Sequence, residues 1–365
     1  MKTLVFIALQ LSQPRCIKRI ETFSKAGFPI KVYGFDSGLY SSTLDKLSFK
    51  VEEVIKRDKS VSRFQKIFFF SSTIKRIIKE NKKNTIFYFF GYEIASIAWL
   101  NGCRNYIYEE GDVTASRVDN SLIRNVLLSV DRLLIKQSKL TVFTSQGFVK
   151  YLFGDKQPGN VILMPNKLST YFNAKTRANV VSNDMDIKHI KFGFIGLIRY
   201  PNTIIRFAKV IGKHFPKHEF HFFGDTEKRE YIDDELMSYE NVIMHGAFEN
   251  PVDLQDIYSK IDLSIVCYDT TSGNVRIAEP NKLYESIFFE TPIVVSADTY
   301  LEERVKELNV GYAIDASRED VIIDFVNGIT KERINAIIKR MKKIPYTELI
   351  DNSDELIKRI KTLCR

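Results

Sequence analysis

Short apolar runs recur along this chain, separated by longer stretches in which apolar residues return every three or four positions. The first pattern is that of buried strands and the second that of amphipathic helices. In the first half it predicts strands at 3–9, 30–35, 49–55, 85–90, 105–109, 140–144 and 161–164, and helices at 15–26, 63–80, 92–100, 119–137 and 146–153. Residues 170–189 are polar and without period, which suits a linker between domains. The alternation then resumes. Strands are expected at 191–196, 219–223, 241–245, 262–267, 292–296 and 311–314, and helices at 202–213, 229–238, 251–259, 280–290, 299–307 and 317–327. A basic helical tail covers 330–342 and 348–363. Strand–helix alternation implies a parallel sheet with helices on both faces. The pattern therefore predicts two doubly wound α/β domains, 1–168 and 190–345, a linker at 169–189, and a last helix within 346–365 that is open to cross back to the first domain.

A length of 365 residues agrees with two domains of about 150–200 residues each. Charge adds something the hydropathy does not show. Residues 1–168 hold 27 Lys and Arg against 14 Asp and Glu, a net of +13, whereas 169–365 hold 27 against 31, a net of −4. Such asymmetry suits an anionic partner for the first half, with a membrane leaflet, a phosphate-bearing acceptor and nucleic acid as candidates and a merely solubilising surface as the competing reading. Residues 63–79 mix cations with Phe and Ile, so this helix either lies in an interface or docks on the sheet with its lysines in water. The four cysteines, Cys16, Cys103, Cys267 and Cys364, are scattered, with no zinc or redox spacing, which favours a reducing compartment. The apolar start Met1–Leu9 is short and has no cleavage site after it, so it is expected to be the first buried strand. No run of about 20 apolar residues is present, so no spanning segment is expected.

Candidate chemistry concentrates in Glu279-Pro280-Asn281-Lys282-Leu283-Tyr284-Glu285. Pro280 suits the first position of a helix. Asn281, Lys282 and Glu285 then share one face, combining free amides, a cation and a carboxylate one turn on. Amides at a helix start attract phosphate, and the carboxylate can accept from ribose hydroxyls. The competing reading is an ordinary helix start with solvated charges. After the strand at 191–196, Gly196 would let backbone approach a ligand and Arg199 could pair with phosphate oxygens. After 262–267, Ser272, Gly273 and Asn274 suit a backbone nest for anions, or a mobile lid. In the first half, Glu93 and Asp112 end neighbouring strands and are candidates to orient or deprotonate an acceptor hydroxyl, with helix capping as the alternative. His245, on an apolar strand, reads as a packed core residue. Gly-x-Gly-x-x-Gly and Walker A patterns are missing, and no metal site is expected.

The 279–296 segment resembles the signature of GT-B fold glycosyltransferases of family 4, in which a Pro-x-Lys-x-x-Glu element precedes a Thr-Pro-Val/Ile strand. Asn241–Phe248 is similar to the family's "NVxFxG" strand, and Leu254–Tyr268 to the helix and strand after it. The resemblance implies two Rossmann-like domains facing across a cleft, with Glu285 on the nucleotide ribose. The family's first Glu falls at position 277, an isoleucine here, so Glu279 is the nearest candidate for that catalytic contact. The activity implied is retaining, metal-independent transfer from a nucleotide diphosphate sugar, UDP-linked above all, with no cofactor. The acceptor implied is a glycan or polyprenyl-diphosphate-linked glycan of surface polysaccharide or lipopolysaccharide assembly. An anionic membrane surface is a second partner open to it, and nucleic acid is not one. The location expected is cytoplasmic, with peripheral attachment to the inner face of the membrane as an option. A nucleotide-sugar epimerase and a non-catalytic binding protein are the alternatives.

Overall fold

The structure, a computed structural model, describes residues 1–36, 47–56, 63–180, 185–198, 201–226 and 229–365. The chain divides into two compact units. Unit 1 is Met1–Pro165 together with Asn352–Arg365, and unit 2 is Asn166–Asp351.

Unit 1 is built on seven strands, β1 (Thr3–Ala8), β2 (Ile30–Asp36), β3 (Glu53–Lys56), β4 (Thr85–Phe90), β5 (Tyr106–Glu110), β6 (Leu140–Phe143) and β7 (Val161–Leu163). They form one parallel sheet in the order β3-β2-β1-β4-β5-β6-β7. The central strands are buried along their whole length, as β4 shows with its run Thr-Ile-Phe-Tyr-Phe-Phe. That is why they read as continuous apolar runs and not as alternation. Helix Arg63–Glu80 docks on the sheet through Ile74 and Ile77, which are fully buried. The terminal helix Asp354–Leu363 belongs to this unit, with Leu356, Ile360 and Cys364 packed into the core that holds Leu4, Phe6 and Ile20.

Unit 2 has six strands, β8 (Lys191–Ile195), β9 (Glu219–Phe223), β10 (Val242–Gly246), β11 (Leu263–Val266), β12 (Ile293–Ser296) and β13 (Gly311–Ile314). They pair in parallel in the order β10-β9-β8-β11-β12-β13. Both sheets reverse direction beside their first strand, which is the Rossmann order, and ligands in such sheets bind beyond the strand ends at that switch point. In unit 2 the switch lies between β8 and β11.

The expected linker at 169–189 needs correction. Phe172 and Met185 are buried in the core of unit 2, and a short helix, Ala174–Ala178, runs between them. Two apolar anchors in a polar stretch carry no period, so the sequence pattern missed them. The crossings between units fall at Pro165/Asn166 and Asp351/Asn352 instead.

Candidate functional site

At the carboxyl ends of β8, β9 and β10 the backbone turns on three glycines with positive φ, Gly196 (+129°), Gly224 (+143°) and Gly246 (+81°). The Gly196 amide donates to the Phe223 carbonyl at 2.8 Å, and the Gly224 amide donates to the Gly246 carbonyl at 2.7 Å. A Cβ on Gly224 would lie 2.0 Å from the Gly196 carbonyl oxygen, so only glycine fits. A Cβ on Gly196 would stand 3.6 Å from the Lys282 Cε. The lysine stem therefore lies against the glycine turn, at the switch point.

Lys282 opens helix Lys282–Phe288, which starts later than the sequence suggested. Asn281 is the cap residue, and Pro280 precedes it, its carbonyl accepting from the Leu283 amide at 3.2 Å. Asn281, Lys282 and Glu285 do come together. Lys282 Nζ lies 2.5 Å from Glu285 Oε2, Asn281 Nδ2 donates to Oε1, and the Tyr258 hydroxyl donates to Oε2 at 3.1 Å. Lys282 is 5% exposed and Glu285 2%. Burial, and then the charge of Glu285, push the Tyr258 phenol well above its ordinary pKa, so it stays a donor. A carboxylate offers about four acceptor sites. Three are occupied here, beside a cation that also neighbours the glycine turn.

Glu279 is differently placed. It is buried, accepts from the Tyr284 hydroxyl, and lies 3.3 Å from Arg304 Nε. The Lys167 ammonium sits over the Tyr284 ring, 5.8 Å from its centroid. Burial pushes the Glu279 carboxyl upward, while Tyr284 and Arg304 pull it back. Both oxygens are thus engaged in bracing the segment before Lys282 onto helix Tyr300–Leu308. The residue that the sequence offers as a catalytic contact thus also braces the loop.

Ser272, Gly273 and Asn274 form no left-handed nest. Gly273 and Asn274 begin a one-turn helix, Gly273–Ile277, with Ser272 before it and Asn274 buried. Asp269 Oδ1 accepts from the Thr271 amide at 2.9 Å, and Arg276 Nε donates to the Thr270 carbonyl at 2.7 Å. Ser296 Oγ ties the end of β12 to the Tyr268 carbonyl at 2.6 Å. Arg199 lies outside the described residues.

The other acidic candidates belong to unit 1. Glu93 sits in the first turn of helix Tyr92–Leu100 and accepts from Thr114 Oγ1 at 3.5 Å. Asp112 pairs with Arg117 at 3.1 Å, both side chains being near half exposed. Two glutamates precede Asp112, and they belong to the same strand-end acidic run. Glu109 is fully buried, with Arg19 Nε at 3.0 Å, Arg15 Nε at 3.7 Å and the Tyr88 hydroxyl donating to it. Glu110, equally buried, meets Asp131, which accepts from the Tyr108 hydroxyl at 3.1 Å. Burial, and then repulsion from Asp131, hold Glu110 well above the carboxylate range, and burial pushes Asp131 up to about 6. Two ionised carboxylates only accept, so their contact becomes a hydrogen bond when Glu110 keeps its proton.

His245 is also not a core residue. It falls at a bulge in edge strand β10, is exposed, and stacks on Phe223 with ring centroids 4.1 Å apart. Its Nε2 lies 2.9 Å from His221 Nδ1, whose ring reaches Glu219 at 2.8 Å. The bulge re-aims a side chain that strict alternation would place elsewhere. Among the described residues no group of three or more His, Cys, Asp and Glu is placed to hold a metal ion.

No protein-family model matches the chain, and no curated protein matches it in sequence. Solved structures do match along almost the whole length. A sucrose-phosphate synthase from Thermosynechococcus elongatus superimposes with a TM-score of 0.71 at 12% identity, covering 100% of this chain and 98% of that one. Anabaena HepE, solved with UDP and glucose, gives 0.70 at 12% identity with 99% of each chain covered. A glycosyltransferase from Rickettsia africae gives 0.63 at 13% identity, covering 99% and 97%. The two Rossmann-like units of this chain have the GT-B architecture.

Proposed function

We propose that the protein is a glycosyltransferase that takes a sugar from a nucleotide diphosphate sugar, UDP-linked above all, and passes it to a glycan or lipid-linked glycan. The observation that carries this reading is the buried Lys282–Glu285 pair against the Gly196 turn, at the switch point of a Rossmann-order sheet. Lys282 supplies charge for a diphosphate, and Glu285 supplies its remaining acceptor site for a ribose hydroxyl. The likeness to HepE, solved with UDP and glucose, supports a nucleotide-sugar ligand. Protein cations at the leaving diphosphate do the work of a divalent metal, so transfer is proposed to be metal-independent. It is proposed to retain the configuration of the donor, as the sequence resemblance implies. Glu93 and Asp112 remain the candidates to orient the acceptor hydroxyl from unit 1.

Turnover of radiolabelled UDP-sugars with a panel of glycan acceptors tests the reading. Sugar transfer supports it. Epimer formation in the free donor, or binding without turnover, replaces it with the corresponding alternative. Failure to bind any nucleotide sugar removes it.

A further inference from the structure

Unit 1 carries 30 Lys and Arg against 16 Asp and Glu, a net of +14, and unit 2 a net of −5. On that basic unit one helix stands apart. Helix Ser121–Gln137 buries Asp131, Leu134 and Ile135 against the unit. Its opposite face is apolar too. Leu122 is 76% exposed, Val126 63% and Leu133 36%, and Ile123 beside them is 53% exposed. Leu122, Val126, Ser129 and Leu133 follow one another at spacings of four, three and four, so they form a single stripe down the outward side. A helix apolar all round is normally covered on both faces. Exposed apolar residues scattered singly need no explanation, but a stripe along one element does.

The charges decide what covers it. The charged side chains of this helix that reach the surface are Arg124, Arg132 and Lys136, all cations, while its one acid, Asp131, is buried. A second copy of the chain would bring like charges together along the stripe. An anionic lipid surface would take the apolar side chains among its acyl chains and the cations among its headgroups. Helix Tyr92–Leu100 packs beside this helix on one side and beside helix Arg63–Glu80 on the other. Those neighbours add Leu100, Phe68 and Phe69 as exposed apolar side chains. On helix Arg63–Glu80 itself, Arg76 is held by Glu53 and Glu80.

We infer that the outward face of helix Ser121–Gln137 is a docking surface for an anionic lipid membrane. The full chain is tested by cosedimentation with vesicles of phosphatidylglycerol and phosphatidylcholine, and with phosphatidylcholine alone. Wild type should partition onto the anionic vesicles at low salt and leave them at high salt. The triple variant Leu122→Ser, Val126→Ser, Leu133→Ser should bind at least tenfold more weakly with an unchanged Tm. Arg124→Gln with Lys136→Gln should lose several-fold and flatten the salt dependence. Should the triple variant fold poorly, Leu122→Ser alone, in the exposed first turn, should still weaken binding several-fold. Wild type that ignores anionic vesicles overturns the inference, as does a folded triple variant that binds them normally. A wild-type dimer dissolved by the triple substitution, without vesicle binding, would assign the stripe to a second copy instead.

Discussion

Glu109 and Glu110 are consecutive on β5, both fully buried, and they point to opposite faces of one sheet. One face offers Arg19, Arg15 and Tyr88, and the other offers Asp131 and Tyr108. The first glutamate therefore sits in an ion pair with Arg19, and the second has its pKa raised by burial and by Asp131. Residue type and depth are the same, so the neighbours make the difference. In unit 2, Glu285 has its cation within 2.5 Å and resembles Glu109. A buried carboxylate built for binding a polyol should be of that cation-paired kind.

The contrast is most sharply broken by removing a cation. Arg19→Met leaves Glu109 buried with a weaker partner, and unpairing a buried ion costs about 3–5 kcal/mol. Urea unfolding should show a loss of that size. A change near zero would mean that Glu109 is not held as an anion by Arg19.

Next comes the donor site. Losing a charged partner of a bound ligand costs about 2–5 kcal/mol, so Glu285→Ala and Lys282→Ala should each weaken UDP binding by tens of fold or more. Calorimetry that finds wild-type UDP affinity in both variants sinks the assignment. If Glu285→Ala also lowers Tm, a circular-dichroism check at the calorimetry temperature separates lost binding from lost folding.

A smaller effect should come from Glu110. Its folded pKa is raised, so between the ordinary carboxylate range and that raised value the folded chain keeps a proton the unfolded chain has released. The stability it contributes is complete below the ordinary range and declines as pH rises through the folded value. Glu110→Gln cannot ionise and keeps a donor for Asp131. It should flatten the fall of Tm as pH rises above the ordinary carboxylate range, and a slope equal to wild type would show that the pair does not share a proton.

The smallest expected change is none at all. Excess EDTA should leave sugar transfer intact if Lys282 neutralises the diphosphate. Activity abolished by EDTA and restored by Mn²⁺ would move the charge stabilisation from protein to metal.

Much of the architecture was legible because buried parallel strands leave unbroken apolar runs. The runs at 85–90 and 219–223 match β4 and β9 to the residue. The Asn281, Lys282, Glu285 cluster was legible because helical spacing is local. Gly224 and Gly246 were not singled out, since the need for glycine comes from Gly196 on a neighbouring strand. The pairing of Glu109 was hidden for a similar reason, as its partner Arg19 lies 90 positions earlier. Ser272–Asn274 misled by composition, because Ser, Gly and Asn suit a loop and also a one-turn helix.

The return of Asn352–Arg365 to unit 1 sets an order for biosynthesis. The Lys2 amide donates to the Cys364 carbonyl at 2.8 Å, so the residue before β1 is tied to the end of helix Asp354–Leu363. Unit 2 is one uninterrupted segment and can complete its sheet while the chain is still on the ribosome. Unit 1 starts before unit 2 and needs a segment that follows it. Until the final helix emerges, the hydrophobic socket for Leu356 and Ile360 stands open, and the nascent unit 1 is the part of the molecule a chaperone would have to guard.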